Sequence, residues 1–321
     1  MKVAHICVVT PGRCGLYETA RELVSGLRKL DIDSRMVDIP KSNKIYPKGY
    51  PEKEDRGALM ADMDWACGAD VIVSHSGYDG TPVEKTSQPI IHVAHGRPRS
   101  GFVTEMKGST PIYSYQYQKN FDSRWKGVVT FWPEHVPYLE VMFPDKSVHY
   151  VQSCVDLDYW SMGPRDYDFH GNRGEINVVC SDPKRDDNDA FLPMNVFAQW
   201  ARTVLGAKFH LFGAPSDMRG YDPVLKRIRK DGNLGVIHRW SKKLRDAYRA
   251  ADLLITSSGI NTRSVREAMA CGCPVLQINS MDDVSLIDTA MTQERDFVRW
   301  DAQDKFSPSI TAKQFKRVLE C

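Results

Sequence analysis

Apolar and polar positions in this chain switch repeatedly between a period of two and a period near 3.6. Residues 3–10 form a short apolar run with strand character. Residues 16–30 then place Leu16, Ala20, Leu23, Leu27 and Leu30 at helical spacing. Residues 34–39 return to a strand, and Pro11, Gly12 and Gly15 form an open turn in the first crossover. Further strands are expected at 69–74, 89–94, 127–130 and 148–152, with a helix at 132–141. Residues 161–174 are rich in Gly, Asp and Arg and nearly free of aliphatic side chains, which is the composition of a linker. The pattern then restarts, with strands at 175–180, 208–212 and 235–238 and helices at 195–205, 224–230 and 242–250. Strand–helix alternation in both halves predicts two α/β domains on parallel sheets, with a ligand crevice between them.

The stretch ADLLITSSGINTRSVREAMACGCPVLQI, residues 251–278, is the most informative. Leu253, Leu254 and Ile255 read as a buried parallel strand. Residues 256–263 are small and polar. Ser264 reads as an N-cap with Glu267 as its capping-box partner, and Val265, Ala268 and Met269 form the apolar face of the helix. Gly272 stops the helix and Pro274 opens the next strand, 275–278. A strand, a polar loop and a helix start make an anion site, because free amides and the helix dipole point the same way. Glu267, one turn inside, suits sugar hydroxyls further along the same ligand. The residues alone leave open whether Glu267 binds a ribose or only caps its helix.

Composition narrows the classes without choosing among them. The 321 residues suffice for two domains, and 42% apolar with 26% charged residues is ordinary for a globular enzyme. Lys and Arg number 43 against 41 acids, so no whole-molecule field recruits nucleic acid or an anionic membrane. No apolar run approaches the roughly 20 residues of a membrane span, and the N-terminus reads as a strand rather than a signal peptide. Eight cysteines without a CxxC pair fit a reduced, cytoplasmic setting, with Cys271-x-Cys273 read as packing. The first crossover has G-x-x-G rather than G-x-G-x-x-G spacing, which argues against a dinucleotide dehydrogenase. Gly15 serves either a close backbone approach or a plain turn. His95 ends the 89–94 strand on the side where parallel sheets carry chemistry; structural and catalytic roles both remain. Residues 41–56, rich in lysine, read as a surface loop on the acceptor side.

Four segments, in order, resemble the retaining GT-B glycosyltransferases of the large family 4 type (glycosyl transferases group 1). TPGRCGLYETARELVSGLRKLDIDSRMV is similar to the family's glycine loop, helix and second strand. PIIHVAHG resembles its histidine-bearing strand end, VQSCVDLDYW its interdomain signature, and LRDAYRAADLLITSSGINTRSVREAMACGCPVLQ its donor-site block ending EAMACG-x-PV. Together they span about residues 1–280. The resemblance implies two Rossmann-like parallel-sheet domains facing across a cleft. The implied division is an acceptor-side domain at 1–160, a linker at 161–174, a donor-binding domain at 175–300, and a terminal helix in 301–321 crossing back.

It further implies a nucleoside-diphosphate sugar as co-substrate, no separate cofactor and no metal. Glu267 would bind the ribose, and the backbone of Ile260, Asn261, Thr262, Arg263 and Ser264 the diphosphate. Gly15 would close on the donor. His95 would sit beside the transferred sugar, and Gly213, His238, Arg239 and Trp240 would line the base pocket. The triplets beginning at Asp62, Asp156 and Asp166 are then coincidental. The chain departs from the pattern at Gly259, where the first glutamate of an E-x7-E pair is expected; Asn261 is the replacement within reach of the sugar. Another departure is Ser181, where an arginine is usual; Lys184 or Arg185 falls at the usual lysine. His95 and Asn261 are therefore the catalytic candidates. The acceptor stays open between glycan, lipid, small molecule and DNA. Arg97, Arg99 and the lysine-rich loop suggest hydroxymethylated DNA bases as the alternative acceptor, and Gly259 and Ser181 suggest a nucleotide-binding protein that has lost turnover. Oligomeric state is not legible.

Overall fold

A computed structural model describes residues 1–7, 15–39, 59–75, 82–95, 123–181, 190–214, 219–238, 241, 243–257 and 262–321. The chain divides into two compact units: residues 1–154 with 306–321, and residues 155–305.

The first unit carries β1 (Lys2–Ile6), α1 (Gly15–Arg28), β2 (Asp33–Val37), β3 (Met60–Ala61), α2 (Met63–Cys67), β4 (Val71–Ser74), β5 (Ile90–Ala94), β6 (Trp125–Thr130), α3 (Val136–Met142) and β7 (Ser147–Tyr150). All the described strand pairs are parallel, in the order β3-β2-β1-β4-β5-β6-β7. α1 buries Ala20, Leu23, Val24 and Leu27 as its spacing requires. It ends two residues short of the expected 30, because the chain turns at Asp31 with φ 60°. The helix expected over 132–141 begins instead as a 3-10 turn at Pro133–His135, and α3 follows with proline in its first turn.

The second unit carries β8 (Ile176–Cys180), α4 (Phe191–Trp200), β9 (Ala207–Phe212), α5 (Asp222–Lys230), β10 (Leu234–His238), α6 (Leu244–Ala250), β11 (Leu253–Thr256), α7 (Arg263–Ala270), β12 (Val275–Gln277), α8 (Ile287–Met291) and α9 (Arg295–Phe306). Its sheet is parallel in the order β10-β9-β8-β11-β12. α4 lies about four residues earlier than the spacing suggests. Pro193 falls in its first turn, where a missing N–H costs nothing, and Gly206 at φ 74° precedes the next strand. Residues 161–174 pack on this unit: Phe169 is fully buried, stacked 3.9 Å from the His210 ring.

α10 (Pro308–Leu319) returns to the first unit, capped by Ser307 and buried through Ala312, Phe315, Val318 and Leu319. It crosses α1 so closely that a Cβ on Gly26 would lie 2.8 Å from the Pro308 carbonyl oxygen and 2.9 Å from Ala312 Cβ. Two arginines of α9 bind the second unit together. Arg299 donates to the carbonyls of Leu157, Trp160 and Ala270 at 2.8–2.9 Å. Arg295 donates to those of Ala251 and Arg249 at 2.8 Å, and to Cys271 at 3.3 Å. Helix C-termini leave four carbonyls without intrahelical partners, and these guanidinium groups satisfy several at the ends of α6 and α7.

Candidate functional site

Both sheets reverse direction beside their first strand. In the second unit β9 and β10 lie to one side of β8, and β11 and β12 to the other. A sheet wound in two directions opens a crevice at the carboxyl ends of the strands flanking the reversal. Here those ends are Ser181 after β8, and Thr256 and Ser257 closing β11 ahead of α7.

α7 begins at Arg263, after Thr262 in extended conformation (φ −71°, ψ 150°). The expected capping box is not formed. Ser264 lies inside the helix, and Glu267 turns back to Arg263, whose Nε donates to Oε1 at 2.6 Å. Position i−4 is a nearer partner for a carboxylate than the helix start once a guanidinium stands there. Both side chains are largely buried. A carboxylate has two oxygens and about four lone-pair sites, and this pairing fixes its orientation.

Two further residues join this corner: Ser181, expected only as a departure from the usual arginine, and Tyr248, which the sequence pattern does not single out. Ser181 and Tyr248 share a hydrogen bond at 2.8 Å. Tyr248 is buried on α6, and burial, then the Glu267 carboxylate, holds its phenol well above the ordinary range. Ser181 thus occupies the position of the expected arginine as a hydroxyl tied to Tyr248. Only the pairing of β8 with β11 shows what Tyr248 meets. Cys271 and Cys273 are buried behind α7, and burial raises both thiols to about 12.

On the other side of β8, Gly213 follows β9 with φ 76°, a conformation that favours glycine. The next amide, Ala214 N, donates to the His238 carbonyl at 2.9 Å, so these two expected base-pocket residues are neighbours. The His238 ring lies 5.4 Å from Phe212 and 4.8 Å from His170. Burial, then His170, lowers its basicity. In the first unit, Gly15 opens α1 and accepts from Thr19 Oγ1 at 2.8 Å. His95 follows β5, half-buried, with its ring 5.4 Å from Phe131.

Lys184, Arg185, Arg239, Trp240, Gly259, Ile260 and Asn261 lie outside the described residues, as do Arg97, Arg99 and the 41–56 loop. The three acidic triplets have local duties. Asp62 caps α2 by accepting from Trp65 N, Asp156 accepts from Tyr159 N, and Asp168 from His170 N. Among the described residues no group of three or more His, Cys, Asp or Glu is placed to hold a metal, and no helix is long and apolar enough to cross a membrane.

Two parallel-sheet units, each reversing beside its first strand, define an α/β protein of the GT-B glycosyltransferase architecture. Solved structures of the same fold include Anabaena HepE in complex with UDP-glucose, at 12% identity over all of this chain and 99% of that one, TM-score 0.68. They include Staphylococcus aureus TarM bound to UDP, at 10% identity over all of both chains, TM-score 0.67. Sucrose-phosphate synthase from Thermosynechococcus elongatus matches at 13% identity over all of this chain and 98% of that one, TM-score 0.66. No family profile and no curated protein matches the sequence.

Proposed function

We propose that this chain transfers a sugar from a nucleoside-diphosphate sugar to an acceptor hydroxyl, with retention and without a metal. The observation that carries the reading is Glu267. It is a buried carboxylate one turn inside α7, oriented by Arg263, at the carboxyl ends of the strands flanking the sheet reversal. The complexes of HepE with UDP-glucose and of TarM with UDP supply the ligand class.

In this reading the amides of residues 260–264 receive the diphosphate. The helix start, equivalent to about half a positive charge, offsets the charge that builds on the departing β-phosphate. Arg263, with Lys184 and Arg185, adds positive charge there. Glu267 accepts from the ribose hydroxyls. Gly213, His238 and Arg239 border the base, Gly15 approaches the donor, and His95 and Asn261 hydrogen-bond the sugar, with Gly259 removing the acid usual there. Donors aimed at developing charge lower the barrier, and removing one such donor typically costs about 10²–10³ in turnover.

Incubation with UDP-, GDP- and ADP-sugars, without added metal and with EDTA, tests the reading. Release of nucleoside diphosphate from one donor class, and an α-linked product from an α-linked donor, are expected. If no donor is cleaved and no nucleoside diphosphate binds, the reading fails.

A further inference from the structure

Three neighbouring strands of the first sheet each contribute one histidine to a single row. His5 lies in β1, His75 follows β4 and His95 follows β5. His5 is opposite Val73, and Ser74 is opposite His92. Continuing that register, each ring sits two residues nearer the carboxyl edge than the one before. An even step keeps all three on one face of the sheet. His5 Nδ1 lies 2.9 Å from His75 Nε2, and His75 Nδ1 lies 2.8 Å from His95 Nε2. Phe315 of α10 backs His5, and Phe131 backs His95. The row runs from the buried core, through the reversal between β1 and β4, to the half-buried strand end.

Burial holds His5 and His75 well below the ordinary imidazole range, so both are neutral at neutral pH. A neutral imidazole has one N–H and one acceptor nitrogen. His5 and His75 are two such rings, so the two bonds along the row can be arranged in only two ways. If the N–H groups point away from His95, His5 carries its proton on Nε2, which is buried and meets no hydrogen-bond partner. If they point toward His95, that nitrogen is a bare lone pair. A buried N–H without a partner is the rarer and costlier defect, so the second arrangement holds.

We infer that His5 and His75 are positioning residues that fix His95 with Nε2 as acceptor and Nδ1 protonated, so that His95 serves its ligand as a hydrogen-bond donor and not as a base. That the ligand atom is a hydroxyl or phosphate oxygen of a nucleotide sugar rests on the proposed function; the tautomer does not. With Nε2 engaged by His75, proton abstraction has no free nitrogen on this ring.

Long-range ¹H–¹⁵N correlation spectra of the full chain, labelled at histidine ring nitrogens, read the tautomer directly. His95→Gln assigns the His95 signals by their loss. The expected result is Nδ1 protonated and Nε2 unprotonated in His95. Protonation on Nε2 overturns the inference, and this readout needs no stable core variant. His75→Phe, with its aromatic bulk kept, should let the two His95 nitrogens average. It should also lower kcat for donor cleavage by at least about tenfold, with nucleoside diphosphate affinity unchanged. A variant with an unchanged His95 spectrum and unchanged kcat contradicts the positioning role. A wild-type protein that cleaves no donor removes the ligand assignment along with the proposed function, and the spectra still decide the tautomer.

Discussion

Lowering the pH from about 7 to about 5.5 should cost the first unit roughly 4 kcal/mol of stability through three buried histidines. His5, His75 and His92 are all buried, and burial holds His5 at about 3, His92 at about 4 and His75 well below its ordinary value of 6.5. In the unfolded chain each returns to 6.5. The unfolded state therefore binds more protons at any pH below that value, and stability falls as pH falls, from about 6.5 down to the folded-state values. One unit below its ordinary value, each group is worth about 1.4 kcal/mol, of which ~0.2 is already expressed at neutrality; three give about 4. Asp33 does not offset this. A hydrogen bond from Arg35 holds it below the ordinary carboxylate range, so it stays ionised throughout. Urea titrations at the two pH values, read by amide exchange of peptides covering β1, β4 and β5, report this unit apart from the other. His92→Phe keeps a ring against Trp125, which the native imidazole meets edge-on at 5.2 Å. It should remove about a third of the loss. Equal stability at both pH values, or a gain on acidification, would refute the reasoning.

Three further outcomes follow from packing. Gly26→Val places atoms where Pro308 O and Ala312 Cβ already stand. It should cost about 1–3 kcal/mol, seen as a lower Tm; an unchanged Tm means that α1 and α10 do not cross this closely. Arg299→Met removes three bonds to carbonyls. Chemical denaturation of the second unit should report a loss of roughly 2–4 kcal/mol. Native Cys271 and Cys273, buried with thiols at about 12, should resist a thiol reagent until unfolding, while the exposed Cys67 and Cys321 react; mass mapping of labelled peptides decides it.

Strands built on unbroken apolar runs, such as Leu253-Leu254-Ile255, were legible because both faces of a parallel sheet are covered, although the strand itself runs on through Thr256. α1 was legible because its buried positions recur at helical spacing. α9 was not. It buries Val298, Ala302 and Phe306 but exposes Phe297 and Trp300, so its apolar stripe is blurred by aromatics on the outer face. At α7 two patterns competed, S-x-x-E for a capping box and R-x-x-x-E for an ion pair. The helix start moved two residues, from an N-cap at Ser264 to one at Thr262, and the ion pair won. The histidine row was invisible for another reason. Its members are 70 and 20 residues apart, and only the order β1-β4-β5 with its register brings the rings together.

Titration calorimetry of UDP, GDP and ADP against wild type and Glu267→Ala, with Glu267→Gln as the isosteric control, tests the central claim most directly. The account predicts that whichever nucleoside diphosphate binds wild type binds Glu267→Ala at least about tenfold more weakly, as loss of a charged acceptor for ribose hydroxyls requires. Unchanged affinity in a folded Glu267→Ala protein would contradict it.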